Sequence, residues 1–194
     1  SFMFIMATVS VMGGVVASAA IGITSKINGF VMLPPIAFSA AISAMVSQNM
    51  GAGRPKRAIK CLYVGISVTL IFGVISFALL QFFSPAVIKI FTPDIELIRA
   101  TSLYLKSFSI DCILVCFVFC LNGFFNGCGH TRFSMVNNLM AAFLIRVPAT
   151  WLLSKIPGAD LFSIGFATPM SSLLSITIGI IYLRSGRWKS LKLS

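Results

Sequence analysis

Asp111 within 101–127, a run that also carries Lys106 near its start, and Arg146 within 133–154 are ionisable side chains inside long apolar runs of this sequence. An ionisable residue in such a run is costly to bury in a membrane, so it is a functional hypothesis by default. The turn between the two runs centres near Cys128, 17 residues after Asp111 and 18 before Arg146. At about 1.5 Å per helical residue, both stand about 26 Å from that turn, at nearly equal depth. An ion pair, direct or through water, fits this arithmetic. So does separate snorkelling of each group toward the outer interface.

Asp111 also opens a polar stripe. Positions 111, 115, 118, 122 and 126 share one helical face, so Asp111, Asn122 and Asn126 point the same way. Such groups avoid lipid by facing a protein neighbour or a water-filled cavity. Asp111, Asn122 and Arg146 are therefore the candidates for cation coupling or for lining a cleft, while Asn126, nearer the turn, suits helix packing. Pro34, Pro35 and Pro148 interrupt the backbone ladder of their helices and are the hinge or kink candidates.

Other residue types offer less. Cys112, Cys116 and Cys120 recur every four residues on a neighbouring stripe, a spacing that small buried thiols share with soft-metal ligands; packing is the ordinary reading. His130 has no histidine partner in the sequence, so neither metal nor cofactor is expected. Gly14, Ser18 and Gly22, then Ser39, Ser43 and Ser47, recur at spacings that let helices approach closely. The sequence has no phosphate-cradling loop, HExxH, GxSxG or intramembrane carboxylate pair, and it is not read as an enzyme.

The elements that must position these groups follow from composition. Of 194 residues, 58% are apolar and 10% charged, with a mean hydropathy of +1.00. Soluble domains are about 45–50% apolar and about 25% charged, so an integral membrane protein remains. A helical span needs about 20 apolar residues. Six runs qualify, near 2–23, 27–50, 59–83, 101–127, 133–154 and 161–184. They are too long and too uniformly apolar for barrel strands. The expected fold is an all-α integral membrane bundle of six transmembrane helices in one unit, 1–194, with an interfacial linker at 84–100 broken at Thr92-Pro93.

Lys and Arg number 15 against 4 Asp and Glu, a net charge of +11. In a membrane protein this excess speaks of loop placement rather than nucleic acid. Nine basic residues fall on the side of the termini: Arg54, Lys56, Arg57, Lys60, Arg132, Arg184, Arg187, Lys189 and Lys192. Five fall on the other: Lys26, Lys89, Arg99, Lys106 and Lys155. Both ends are therefore expected in the cytoplasm, with Tyr63, Tyr182 and Trp188 on that side and Tyr104 and Trp151 opposite forming interfacial belts. Gly51-Ala52-Gly53-Arg54 and Gly127-Cys128-Gly129-His130 look alike and hint at internal duplication.

Several stretches, read in order, resemble the multidrug and toxic compound extrusion (MATE) family. They are Ile27-Asn28-Gly29-Phe30, Leu33-Pro34-Pro35, Gln48-Asn49-Met50-Gly51-Ala52-Gly53-Arg54, Asn122-Gly123-Phe124-Phe125-Asn126-Gly127 and Arg146-Val147-Pro148. The resemblance implies one lobe, the C-terminal six helices, of a twelve-helix antiporter exporting drugs and metabolites in exchange for H+ or Na+. It implies the N-terminal lobe, the bilayer and small organic substrates as partners, and a plasma-membrane location (the inner membrane in a Gram-negative cell). The start at Ser1 rather than Met agrees with a piece of a longer chain. A fourth-helix carboxylate of the family corresponds to Asp111 or stands one turn away, nearer Val115; another would precede Ser1. A lipid-linked saccharide flippase of the same superfamily, which would want a cationic cleft, and a non-transporting membrane scaffold are the alternatives.

Overall fold

The computed structural model describes residues 19–146, 148 and 167–189, and among them every regular element is helical. We number them α1 (Ala19–Gly51), α2 (Pro55–Phe82), α3 (Ser84–Lys89), α4 (Ile95–Gly127), α5 (Thr131–Met140, continued as a π-helical turn over Ala141–Arg146) and α6 (Ala167–Arg184). A single 3-10 turn at Arg187–Lys189 follows. Helices α1, α2 and α4 are long and apolar enough to cross a membrane. The outward faces of α1 and α2 carry Phe30, Leu33, Tyr63, Ile71 and Phe82, all exposed, as lipid contact requires.

The start of α1 differs from the sequence expectation. Spans at 2–23 and 27–50 would need a turn around Lys26, yet Lys26 sits exposed on a helix that runs through it. One charge is no turn signal, and the Asn28-Gly29 pair that follows it is itself helical. The interruption falls instead at Met32, because Pro34 and Pro35 open the Leu33–Gly51 segment and neither can donate to the preceding turn. The ladder is carried across by Met32 N donating to Asn28 O at 2.9 Å and Ile36 N to Met32 O at 3.1 Å. The rest of the span expected at 2–23, with Gly14 and Ser18, lies outside the described residues.

A second difference concerns α4. The linker expected over 84–100 ends early, since α4 begins at Ile95 rather than 101. Asp94 supplies the start signal: its Oδ1 accepts from Glu96 N at 3.0 Å and caps the helix. The break expected at Thr92-Pro93 separates α3 from α4. Asp111 is consequently the midpoint of a 33-residue helix, about 24 Å from either end. Snorkelling cannot reach water from there.

α4 is the central element and touches α1, α2, α3, α5 and α6. Of its most apolar window, 61% is buried, against 17% for α1 and 22% for α2. Its contact with α1 rests on two glycines one turn apart. A Cβ on Gly123 would strike the backbone of Ser39, and one on Gly127 would lie 2.6 Å from Ser43 O and 2.8 Å from Val46 Cβ. The Ser39–Ser43 spacing thus serves close helix packing. On the α2 side, Cys116 Sγ donates to Thr69 O at 3.4 Å and Cys120 Sγ to Thr69 Oγ1 at 3.5 Å, so the cysteine stripe packs between helices.

Both glycine turns have the same construction, bond for bond. Gly53 N donates to Met50 O and Arg54 N to Asn49 O; Gly129 N donates to Asn126 O and His130 N to Phe125 O. Gly53 (φ 69°) and Gly129 (φ 82°) occupy the left-handed region that this helix-ending motif requires. Each turn ends a 33-residue helix. Met50, Ala58, Cys128 and Trp188 gather in one buried cluster, which brings the two turns and the C-terminal end of α6 to the same end of the bundle. Arg54, Lys56, Arg57, Lys60, Arg132, Arg184 and Arg187 lie exposed around that end. Trp188 and Tyr104, expected in interfacial belts, are instead buried: Trp188 Nε1 donates to Leu183 O at 2.9 Å, and Tyr104 stacks on Phe108. Trp151 lies outside the described residues.

These contacts set a direct test of the packing. In the full-length protein, Gly123→Ala and Gly127→Ala should each cost about 1–3 kcal/mol, since the added methyl meets backbone that cannot move aside. Gly51→Ala, whose Cβ meets nothing within 4 Å, is the control. Thermal unfolding in detergent should show a lowered midpoint for the first two only.

Candidate functional site

The face of α4 that carries Asp111 does not pack flat against its neighbours. It walls a cavity of about 300 Å³ together with α1, α5 and α6. From α4 come Phe108, Asp111, Val115, Val118 and Phe119; from α1, Asn28 and Met32; from α5, Asn138, Ala141 and Ala142; from α6, Thr168, Ser171, Ser172 and Ser175. The chemistry is two-sided, with aromatic and branched apolar groups on α4 and a hydroxyl stripe on α6. The α6 positions 168, 171, 172 and 175 share one helical face, which explains why four hydroxyls meet there.

Asp111 is buried, with 1% of its surface exposed. Ser172 Oγ donates to its Oδ1 at 2.5 Å, a length typical of a hydroxyl on a carboxylate. Across the cavity, Asn28 Oδ1 is a buried acceptor with no hydrogen-bond partner among the described residues. An unsatisfied buried oxygen costs about 1–3 kcal/mol, so it stands ready for a donor or a cation. Carboxylate, amide and hydroxyl oxygens together form the donor set that hard cations prefer.

The polar stripe of α4 runs on below the cavity. Asn122 Nδ2 donates to Asn138 Oδ1 at 3.1 Å, tying α4 to α5 beside the cavity wall. Asn126, expected in helix packing, is exposed. Arg146 closes the π-helical turn, but its side chain lies outside the described residues, and with it the pairing with Asp111. Its helix does reach the site, since Ala141 and Ala142 line the cavity. The widened turn has a local cause: Pro148 lacks an N–H, and its ring crowds the carbonyl four residues back. Such π turns recur at functional sites. The other two candidate prolines, Pro34 and Pro35, follow Met32, which lines the cavity.

Sequence reasoning identified Asp111 and Asn122 but missed Asn28, Asn138 and the whole α6 hydroxyl face. The last was legible: Thr168, Ser171, Ser172 and Ser175 recur at helical spacing within the uncharged run 161–183. At the basic end, His130 Nδ1 and Tyr182 OH are 3.1 Å apart, joining the start of α5 to α6.

Comparison with known proteins gives this geometry a family. The family model for MatE matches residues 1–152. The chain is 28% identical over 191 residues to "Probable multidrug resistance protein YpnP" of Bacillus subtilis (strain 168), covering 98% of this chain and 42% of that protein. In fold it is similar to the outward-facing form of a multidrug resistance MATE family transporter of the MOP superfamily, with a TM-score of 0.89 at 15% identity over 99% of this chain and 43% of that one. A structure of an inward-facing form of such a transporter gives 0.84 at 16% identity, over 97% and 43%. The chain thus spans less than half the length of the relatives it matches.

The thiols at this end offer a chemical check. Burial pushes the Cys128 thiol up to about 12, far from the pH of ordinary labelling. The thiolate is the nucleophile, so raising the pKa removes the reactive form. N-ethylmaleimide at neutral pH should modify the half-buried Cys61 and leave Cys128 untouched, as read by peptide mass spectrometry. Cys128 should react only after unfolding.

Proposed function

Because the chain belongs to the MatE family, we propose that it is one lobe of a secondary active exporter of drugs and other cationic, amphipathic organic compounds, driven by exchange for H+ or Na+. The observation that carries the reading is the cavity at the middle of α4, with a buried Asp111 and, among hydroxyls, an Asn28 oxygen that no described residue pairs. In this reading Asp111 takes up the coupling ion, with Ser172 orienting its carboxylate. The same oxygen set accepts a proton on Asp111 or a bare Na+ between Asp111 and Asn28. Asn122 holds the α4–α5 wall through Asn138, and Arg146 sets the charge balance from the outer side.

Transport would follow from alternating access against a second, N-terminal six-helix lobe. The fold of this lobe is similar in outward-facing and inward-facing relatives, as a rocking body should be. The breaks at Met32, beside Pro34 and Pro35, and before Pro148 are the points where cavity occupancy would bend α1 and α5. Export fits this site better than saccharide-lipid flipping. The described cavity wall carries one charged side chain, an acid, whereas a pyrophosphate-linked lipid calls for cations. A scaffold would have no use for a carboxylate buried beside a cavity.

The basic end would face the cytoplasm of the plasma membrane, or of the inner membrane in a Gram-negative cell. The charge asymmetry persists with Lys26 moved from a loop onto α1.

Two measurements check this reading in the full-length protein. Asp111→Asn should abolish ion-driven efflux while leaving membrane expression and substrate binding near normal; unchanged efflux across pH and sodium concentrations would refute a coupling role. A tag after Ser194 should be shielded from impermeant reagents in intact cells. Labelling of that tag from outside would invert the topology.

A further inference from the structure

The α5–α6 seam between the cavity and the basic end holds two buried polar atoms that no described residue pairs. Asn137 Oδ1 and Ser134 Oγ are buried without a hydrogen-bond partner among the described residues, and each residue is only 4% exposed. Asn137 is not idle, since its Nδ2 donates to Ser175 Oγ at 2.9 Å and to Ser175 O at 3.2 Å. Ser175 itself lines the Asp111 cavity. Ser134 is three residues nearer the basic end on the same face of α5, about 5–6 Å from Asn137 at the Cβ level. His130 stands one further turn along, bonded to Tyr182 of α6. The order Ser175, Asn137, Ser134, His130 therefore runs from the cavity to the basic end.

Two orphaned buried atoms a turn apart would cost about 1–3 kcal/mol each if the seam were dry. Buried groups of this kind in native proteins are ordinarily met by internal water. A single water between two groups at that separation reaches both.

We propose that Asn137 and Ser134 anchor a file of bound water between α5 and α6 that links the Asp111 cavity to the basic end at His130. Asn137 accepts from one water through Oδ1, and Ser134 orients the next through its hydroxyl. Neither residue takes up a proton. A proton leaving the Asp111 carboxyl adds to a water lone pair, that water releases another of its protons to the next, and the last is given to bulk water past His130. No bond within the chain changes. The hydration itself is independent of the coupling ion; its use as a proton path rests on the role proposed above for Asp111.

The test uses the full-length transporter carrying Ser134→Cys, a near-isosteric change that puts a radical-sensitive thiol in the seam. Brief X-ray radiolysis generates hydroxyl radicals from bound water, and peptide mass spectrometry reads the oxidation. Cys116, buried with its Sγ bonded to Thr69 O and Cys112 O, is the internal reference. The introduced thiol should oxidise several times faster than Cys116, and Asn137→Leu added to it should remove that excess. Equal oxidation of the two thiols would overturn the hydrated seam whichever ion drives transport. In reconstituted vesicles, Ser134→Ala should slow substrate-driven proton movement without weakening substrate binding. Unchanged proton movement in Ser134→Ala would overturn the conducting role and leave the reading of Asp111 to its own test.

Discussion

The close approach of α4 to α1 is the constraint from which the site follows. With hydrogen atoms at positions 123 and 127, α4 lies directly on the backbone of Ser39 and Ser43, which no larger residue permits. That contact fixes the rotation of α4 about its axis. The cysteine face then turns toward Thr69 and Gly73 of α2, and the Asp111 face turns toward α6. In a bilayer, where lipid is as apolar as leucine, shape and small residues must supply such specificity. Once α4 is set, a carboxylate at its midpoint has nowhere to go but an internal cavity.

How much of this was legible depended on which signal the sequence offered. The apolar character of α2 and α4, the glycine turns at Gly53 and Gly129 and the Ser39–Ser43 spacing are local chemistry, and they read directly. Lys26 misled because a lone charge in an apolar sequence looks like a loop, whereas an exposed lysine on a helix surface can carry its ammonium to water. The onset of α4 at Ile95 was hidden because Pro93 and the acidic pair Asp94 and Glu96 suggested an interface, while Asp94 in fact caps the helix. Placing that onset at 101 made Asp111 look peripheral. The π-helical turn had no signal except Pro148.

The site shows the same division. Asp111 declared itself by charge, and Asn122 by sharing its face. Asn28 did not, because nothing local says that α1 brings residue 28 across from residue 111. The hydroxyl face of α6 was periodic yet unremarked, since serine and threonine in a membrane helix can bond to their own backbone, as Ser171 does to Thr168 O at 2.8 Å. Only tertiary packing distinguishes such self-bonded hydroxyls from Ser172, which donates to Asp111. The relatives are each more than twice this chain's length.

The proposed role of the Asp111 cavity is to hold the ion exchanged for substrate. The most direct measurement is calorimetric and potentiometric titration of the purified full-length protein with a transported drug in weakly buffered solution. Drug binding should release protons or displace bound Na+, and the release should depend on the acid at position 111. Drug binding that displaces neither ion from the wild-type protein would contradict that role.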